Sequence, residues 1–289
     1  METIGQSALF SYLGTSPHAI SVRNTQVRKD RGHMVKSYLE LATKVAELQF
    51  RNRNHVLMYR GQGRDFRNEQ KNTSLKASLF RGAAKQRNPD EATLAQRFET
   101  LQRAEDLLID NYTFLGRERV LRYRIIRWAI LQHYEVCATP LIDVTHSLRI
   151  AASFASGGDG DEAFVFVIGV PNVSGAITES AEAGIQIVRL SSVCPPAAVR
   201  PHVQEGYLLG EYPEMTAFAQ KQLYPHYEVD FGRRLVAKFR FNPRRFWKKG
   251  AFPKVDDKAL YPTSRSDPFA RVAKEVGRGL SEEVRRLGG

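Results

Sequence analysis

The pair Arg60-Gly61, preceded by Tyr59 and followed by Gln62, sets a guanidinium beside a residue with no side chain. At a strand end such a pair fixes a cation at the mouth of a cleft, and the five donors of an arginine match two phosphate oxygens. Gln62, two residues on, points to the same side. Downstream, Leu131-Gln132-His133-Tyr134 and Asp143-Val144-Thr145-His146-Ser147 supply, among others, the His133 imidazole, the Asp143 carboxylate and the hydroxyls of Thr145 and Ser147. Thr145 and Ser147 suit helix capping, and a capping turn also offers hydroxyls and free N–H groups to a phosphate or ribose. His133 suits proton transfer or a structural hydrogen bond. A third stretch, Arg200-Pro201-His202-Val203-Gln204-Glu205-Gly206-Tyr207, carries an amide that can hydrogen-bond but cannot act as a base, with Glu205 beside it and Glu211 beyond. Arg60 has a second reading, as a buried cation paired with a carboxylate such as Asp143.

The elements that must position these groups follow from periodicity. The segment to about Asp30 is polar and weakly periodic and reads as a loosely ordered arm. From Met34 to about Arg51, Val35, Leu39, Ala42 and Ala46 recur at helical spacing, with Leu41, Val45 and Leu48 on an adjacent stripe. Asn52-Arg53-Asn54 leads into a strand over Val56 to Tyr59. Asn88-Pro89 starts a long helix through Leu94, Phe98, Leu101 and Leu108 to about Tyr112. A second helix runs from about Arg119 to Tyr134, with Arg119, Arg122, Arg124 and Arg127 on its outer face, until Ala-Thr-Pro-Leu breaks it. Asp143 to Ser147 turn the chain into a short helix, Leu148 to Ala155. Strands then read over Ala163 to Val170, Gly184 to Leu190, Val203 to Leu209 and Arg234 to Phe241, each rich in Val, Ile and Phe. On the third of these, Gln204 and Gly206 share one face and Glu205 takes the other. Helices crowd the first half and strands the second, the pattern of an α+β domain. A terminal helix over about Pro268 to Leu287, with Phe269, Val272, Val276 and Leu280 in a row, packs back or engages a partner. The organisation is an arm and helix over 1–52, a main domain over 53–250, and a linker and helix over 251–289.

In order and spacing, Tyr59-Arg60-Gly61, Ser78-Leu79-Phe80-Arg81, Gln132-His133, Asp143-x-Thr145 and Arg200-x-x-x-Gln204-x-Gly206-Tyr207 resemble the FRG domain family. The aromatic-Arg-Gly strand end and the Thr-x-Ser turn before an Ala-x-x-Phe helix are also similar to the NAD pocket of the Arg-Ser-Glu class of ADP-ribosyltransferases. That second resemblance implies a mostly antiparallel split sheet with the helical first half packed on it. It implies NAD⁺ held by Tyr59, Arg60, Gly61, Gln62, Tyr134, Thr145 and Ser147, with Arg60, Gln204, His133 and Glu205 serving catalysis. The class places a glutamate where this chain has Gln204, so Glu205 or Glu211 is left to supply the carboxylate. FRG domains occur in bacterial and phage-related proteins, some in toxin or anti-phage settings, which implies an antitoxin or regulatory partner.

Composition bounds the alternatives. A chain of 289 residues with 42% hydrophobic content buries a full core, and a net charge of +12 gives it a positive field. Arg23, Arg28, Lys29, Arg31 and Lys36 form one basic cluster, Arg117, Arg119, Arg122, Arg124 and Arg127 another, and Arg244, Arg245, Lys248 and Lys249 beside Phe246 and Trp247 a third. Arg122, Arg244, Arg245, Trp247 and Lys248 are the candidates for gripping nucleic acid, RNA before DNA, while a ring stacks on a base. A solvated face is the competing reading of each cluster. A nucleotide sensor without turnover is the other alternative. The longest apolar run, Ala163 to Val170, is far shorter than a membrane span and no basic-then-apolar leader opens the sequence, so the expectation is a cytoplasmic protein without a membrane partner. Cys137 and Cys194 stand apart without a CxxC or His-rich companion, so neither a disulfide framework nor a metal site is expected.

Overall fold

A computed structural model describes residues 1–82, 89–223, 229–248 and 252–287, with side chains through 282. In chain order come strands β1 (Leu9–Ser11) and β2 (Ile20–Val22), helix α1 (Asn24–Lys29), strand β3 (His33–Met34), helix α2 (Tyr38–Arg51) and strand β4 (Val56–Gln62). Helices α3 (Glu91–Asn111), α4 (Arg117–Arg122) and α5 (Arg124–His133) precede strand β5 (Ile142–Thr145) and helix α6 (Leu148–Ala155). Strands β6 (Ala163–Val170), β7 (Ile177–Ser180), β8 (Ile185–Arg189), β9 (Gly206–Glu211) and β10 (Leu235–Phe241) follow, and the helix Pro268–Leu287 is last. The chain is α+β, but strands are not confined to its second half, since β1 to β4 all fall within the first 62 residues. No helix among the described residues is long and apolar enough to cross a membrane.

Two compact units divide the chain. Met1–Leu75, Val144–Val173 and Asp230–Asp257 make the first. Its spine is β6, an unbroken run of buried Val, Phe and Ile, as expected of a strand covered on both faces. β10 and β4 flank it antiparallel, and β3 pairs with β10 in parallel. The opening segment is ordered, contrary to the loose arm read from its polarity. β1 and β2 pair as a hairpin, Ile4, Leu9, Tyr12 and Val27 are buried, and the Asn52 amide exchanges two 3.0 Å hydrogen bonds with the backbone of Phe10. Those long-range bonds leave no local periodic trace. α2 starts at Tyr38 rather than Met34 because Ser37 caps it, its hydroxyl accepting from the Glu40 N–H. Leu41, Val45 and Leu48 are the residues it buries, while Leu39 is 61% exposed. The row with the larger summed apolar area won the core.

Lys76–Asp143, Ser174–Val229 and Lys258–Gly289 make the second unit. β8 lies between β7 and β9, antiparallel to both. α3 is capped by Asp90, whose carboxylate accepts from the Thr93 N–H at 2.7 Å; the cap read at Asn88 falls outside the described residues. The helix Pro268–Leu287 packs back on α3. Phe269 is buried against Tyr112 and Phe114, and a side chain at Gly279 would meet Leu107. The single helix expected from Arg119 to Tyr134 is two, separated at Tyr123, whose backbone is extended. Arg127 makes the break tolerable, because its guanidinium donates to the carbonyls of Val120 at 2.7 Å and Leu121 at 3.0 Å that a continuous helix would have satisfied. The same residue overturns the basic outer face. Arg127 is buried, and Arg124 and Arg127 both bind Glu105 of α3.

The strand read over Val203 to Leu209 is shorter. Val199–Val203 is a helical turn, Gln204 caps it, Glu205 takes φ 46°, and β9 begins only at Gly206. Pro201, which lacks an N–H, sits within that first turn where no intrahelical donor is needed. The alternation of side chains expected for Gln204, Glu205 and Gly206 therefore does not apply.

Candidate functional site

In the first unit the site is built on β4 and α6. A Cβ placed on Gly61 would lie 1.8 Å from the carbonyl oxygen of Ala151 and 2.8 Å from the amide nitrogen of Ala155. Gly61 is thus the residue that lets α6 lie flush on the strand; it faces the helix instead of clearing space around Arg60. Arg60 is not at the strand end either, since β4 runs on to Gln62 in register with Phe164 of β6. Strand alternation puts Arg60 and Gln62 on the face opposite Gly61, and Tyr59 on the α6 face with it. Gln62 is partly covered, and its Oε1 is buried without a hydrogen-bond partner.

Tyr59 stands opposite Thr145 in the β4–β5 pairing. Thr145 is buried, and its Oγ1 accepts from the Ser147 N–H at 3.0 Å, which holds the turn into α6. Ser147 occupies the position before the first helical residue, yet its side chain makes no capping bond. Neither hydroxyl therefore caps the helix as expected: that of Thr145 secures the turn before it, and that of Ser147 makes no capping bond. Tyr59 is 8% exposed. Burial, with the neighbouring Tyr38 phenol, pushes its pKa up to about 12, so it stays a neutral donor at physiological pH.

The second unit gathers His133, Tyr134, Gln204 and Glu205 in different settings. His133 closes α5 and is buried; Nδ1 lies 3.3 Å from Asp143 Oδ1, while Nε2 has no partner. Burial lowers its pKa against the opposing pull of Asp143, which favours a neutral ring donating from Nδ1. Gln132 Nε2 donates to the other Asp143 oxygen at 2.8 Å, and Gln132 Oε1 in turn accepts from the hydroxyls of Thr139 and Ser78. The blocks Ser78 to Arg81, Gln132-His133 and Asp143 therefore meet in one polar cluster whose carboxylate is partly exposed, with the Asp143 side chain 39% accessible. Such a carboxylate can accept a proton or a hydroxyl hydrogen bond. Sequence reasoning passed over it as a catalytic group. The signal available was Gln132 and His133 standing next to each other on α5, where side chains from two adjacent positions reach the two oxygens of one acid.

Tyr134 and Gln204 are bound into the interior of this unit. The Tyr134 hydroxyl donates to Asp267 Oδ2 at 2.9 Å, its ring lies 5.5 Å from that of Phe269, and its pKa is raised by burial first and by Asp267 next. Gln204 is 5% exposed and its Nε2 donates to the Leu260 carbonyl at 2.6 Å. Glu205 is exposed on its left-handed turn, and Glu211 is ion-paired with Lys221. Gly206 has a packing reason, because a Cβ there would come within 3.1 Å of His133 Cε1.

The basic candidates separate by accessibility. Arg122, Arg244, Arg245 and Lys248 are exposed, and Lys249 lies outside the described residues. Trp247 is engaged within the first unit. It stacks on Tyr38 with centroids 5.8 Å apart and donates from Nε1 to Ser156 Oγ at 3.0 Å. Arg28, from the first cluster, is paired with Asp230 at 2.6 Å. Cys137 and Cys194 are free thiols, each pushed up to about 12 by burial. Among the described residues, no group of three or more His, Cys, Asp and Glu side chains is placed to hold a metal ion.

No curated protein and no solved structure matches the chain. The family model of the FRG domain matches residues 54–162, a stretch that contains β4, the Ser78 to Arg81 segment, α5, β5 and α6. The chain carries an FRG domain over those residues.

Proposed function

We propose that this FRG domain is an NAD⁺-dependent ADP-ribosyltransferase, acting in a bacterial toxin or anti-phage setting and modifying RNA in preference to DNA or protein. One observation carries the reading. Gly61 seats α6 on β4, so that Tyr59, Arg60 and Gln62 on the strand are fixed relative to the Thr145–Ser147 turn that is in register with it. The hydroxyls on the α6 face and, on the opposite face of the same rigid strand, a guanidinium and an amide are the kinds of donor that a dinucleotide requires. The mostly antiparallel pairing of the strands supports the finer reading of the fold as the split sheet of that transferase class.

In the proposed reaction the bond between nicotinamide and the ribose C1 breaks with its electron pair leaving on nicotinamide. An acceptor oxygen or nitrogen bonds to that carbon and loses its proton. Fixed dipoles around the cationic sugar supply most of the acceleration. Tyr134 and Gln204 are given no part in it, because each already spends its polar atom on the interior. The test is release of nicotinamide from NAD⁺ by the purified protein, followed by label transfer from the adenylate portion to separated RNA, DNA and protein fractions. A second reading, a nucleic-acid-binding module, draws on the exposure of Arg244, Arg245 and Lys248. It predicts steep salt dependence and indifference to NAD⁺.

A further inference from the structure

Three hydroxyl groups in the first unit make no hydrogen bond to a described residue. The Tyr59 hydroxyl belongs to a residue more than nine-tenths buried, and it bonds to no described residue. Tyr38 is half-buried, its ring pinned between Trp247 and Phe252, and its hydroxyl is likewise unpartnered among the described residues. Ser147 keeps its hydroxyl out of the capping bond. A hydroxyl that no protein group uses, at the tip of a buried ring, is open to water or a ligand.

These groups lie around the amino end of α6. Tyr59 faces α6 from β4 and is in register with Thr145, three residues before the helix begins. Tyr38 acts electrostatically on Tyr59 and feels Arg149, an exposed residue in the first turn of α6. The first intrahelical bond runs from the Ala151 N–H to the Ser147 carbonyl, so the N–H groups before Ala151 have no acceptor in the helix. Their partial positive charge adds to that of the guanidinium. The phenols remain protonated, since burial raises the pKa of both. Every group of the set can donate and none is negatively charged, which suits an anion.

We infer that the amino end of α6, with Arg149, Tyr38, Tyr59 and Ser147, is a binding site for a phosphate or diphosphate group. The site is argued from its own residues. Only the identity of its natural ligand as a dinucleotide rests on the transferase reading, and Arg149 and Tyr38 then join Tyr59 and Ser147 in holding the cofactor.

The probe is inorganic pyrophosphate, titrated calorimetrically into the full chain at low salt. Wild type binds it; Arg149→Gln weakens binding about tenfold and Tyr59→Phe about fivefold, as expected for loss of a charge-assisted and a neutral hydrogen bond. Arg53→Gln, an exposed cation of the first unit just past the end of α2 remote from Tyr38, leaves binding unchanged. Circular dichroism melts confirm that each variant is folded, and Tyr59→Phe removes one oxygen only, so its fold is not at stake. Absence of pyrophosphate binding by wild type overturns the site, as does equal weakening by Arg53→Gln, which would make the attraction a matter of net charge. If pyrophosphate binds with this pattern while NAD⁺ yields no nicotinamide, the phosphate site stands and the transferase reading falls.

Discussion

The Glu105 network of the second unit and the start of α6 in the first treat their polar side chains in opposite ways. In the second, Glu105 is 3% exposed yet accepts from Arg124 at 3.0 Å, from Arg127 at 2.8 Å and from the Trp128 indole at 2.8 Å. Arg127 then spends its remaining donors on two helix-end carbonyls. In the first, Tyr59, Tyr38 and Ser147 stand around the start of α6 with hydroxyls that no described residue uses. A saturated network is architecture, and its charges hold helices together. Donors left open beside a rigid strand cost stability unless something else satisfies them, and that is the mark of a place built for a ligand.

Substitutions can break this contrast at either end. The largest effect is expected at Glu105. Glu105→Ala leaves a buried guanidinium and a buried indole N–H without their acceptor, and costs about 3–5 kcal/mol, read as a lower urea midpoint. A loss under about 1 kcal/mol would show that the network is not a structural hub. Next comes Gly61→Ala. The added methyl meets backbone, which cannot rotate away as a side chain can, so α6 must lift, at about 2–3 kcal/mol, with phosphate binding lost at the same time. An unchanged melting temperature would contradict the flush seating of the helix.

A smaller effect follows pH. His33, His55 and His133 all have their pKa lowered from 6.5, with burial as the leading cause in each. The unfolded chain takes up protons at these rings as pH drops through about 6.5, while the folded chain does not. Stability is therefore full above that pH and declines as pH falls toward the folded values. Denaturation midpoints between pH 7.5 and 5.5 should show the decline, and His133→Asn should make it shallower. The same slope in wild type and variant would remove His133 from the account. Smallest of all, Arg122→Ala, on an exposed side chain, should change stability by less than about 0.5 kcal/mol; Arg127→Ala, from the same run of arginines, should cost several times more.

That last pair shows how far the sequence could be read. Helical spacing placed Arg119, Arg122, Arg124 and Arg127 on one outer face, but the partner of two of them is Glu105, on a helix that local pattern cannot bring near. Where burial is set by the segment's own composition, reading was sound: β6, α6 and the helix Pro268–Leu287 have the bounds that their apolar rows and breakers imply. Where a single proline or a positive φ decides, it failed, as at Pro201 and Glu205, which turned an apparent strand into a capped helical turn. The site was legible as motif blocks. Tyr59, Thr145 and Ser147 come together in the first unit, and Ser78, Gln132, His133 and Asp143 in the second. Tyr38 and Arg149 carried no motif, because what qualifies them is a spatial neighbour far away in the chain.

The central claim is that the strand bearing Tyr59, Arg60 and Gln62 and the turn into α6 hold a dinucleotide for transfer. Nicotinamide release from NAD⁺, followed by chromatography for wild type and for Arg60→Gln shown to be folded by its melt, tests it most directly. The account predicts turnover by wild type and a loss of at least about a hundredfold in the variant. No release by wild type, or equal release by both, would contradict it.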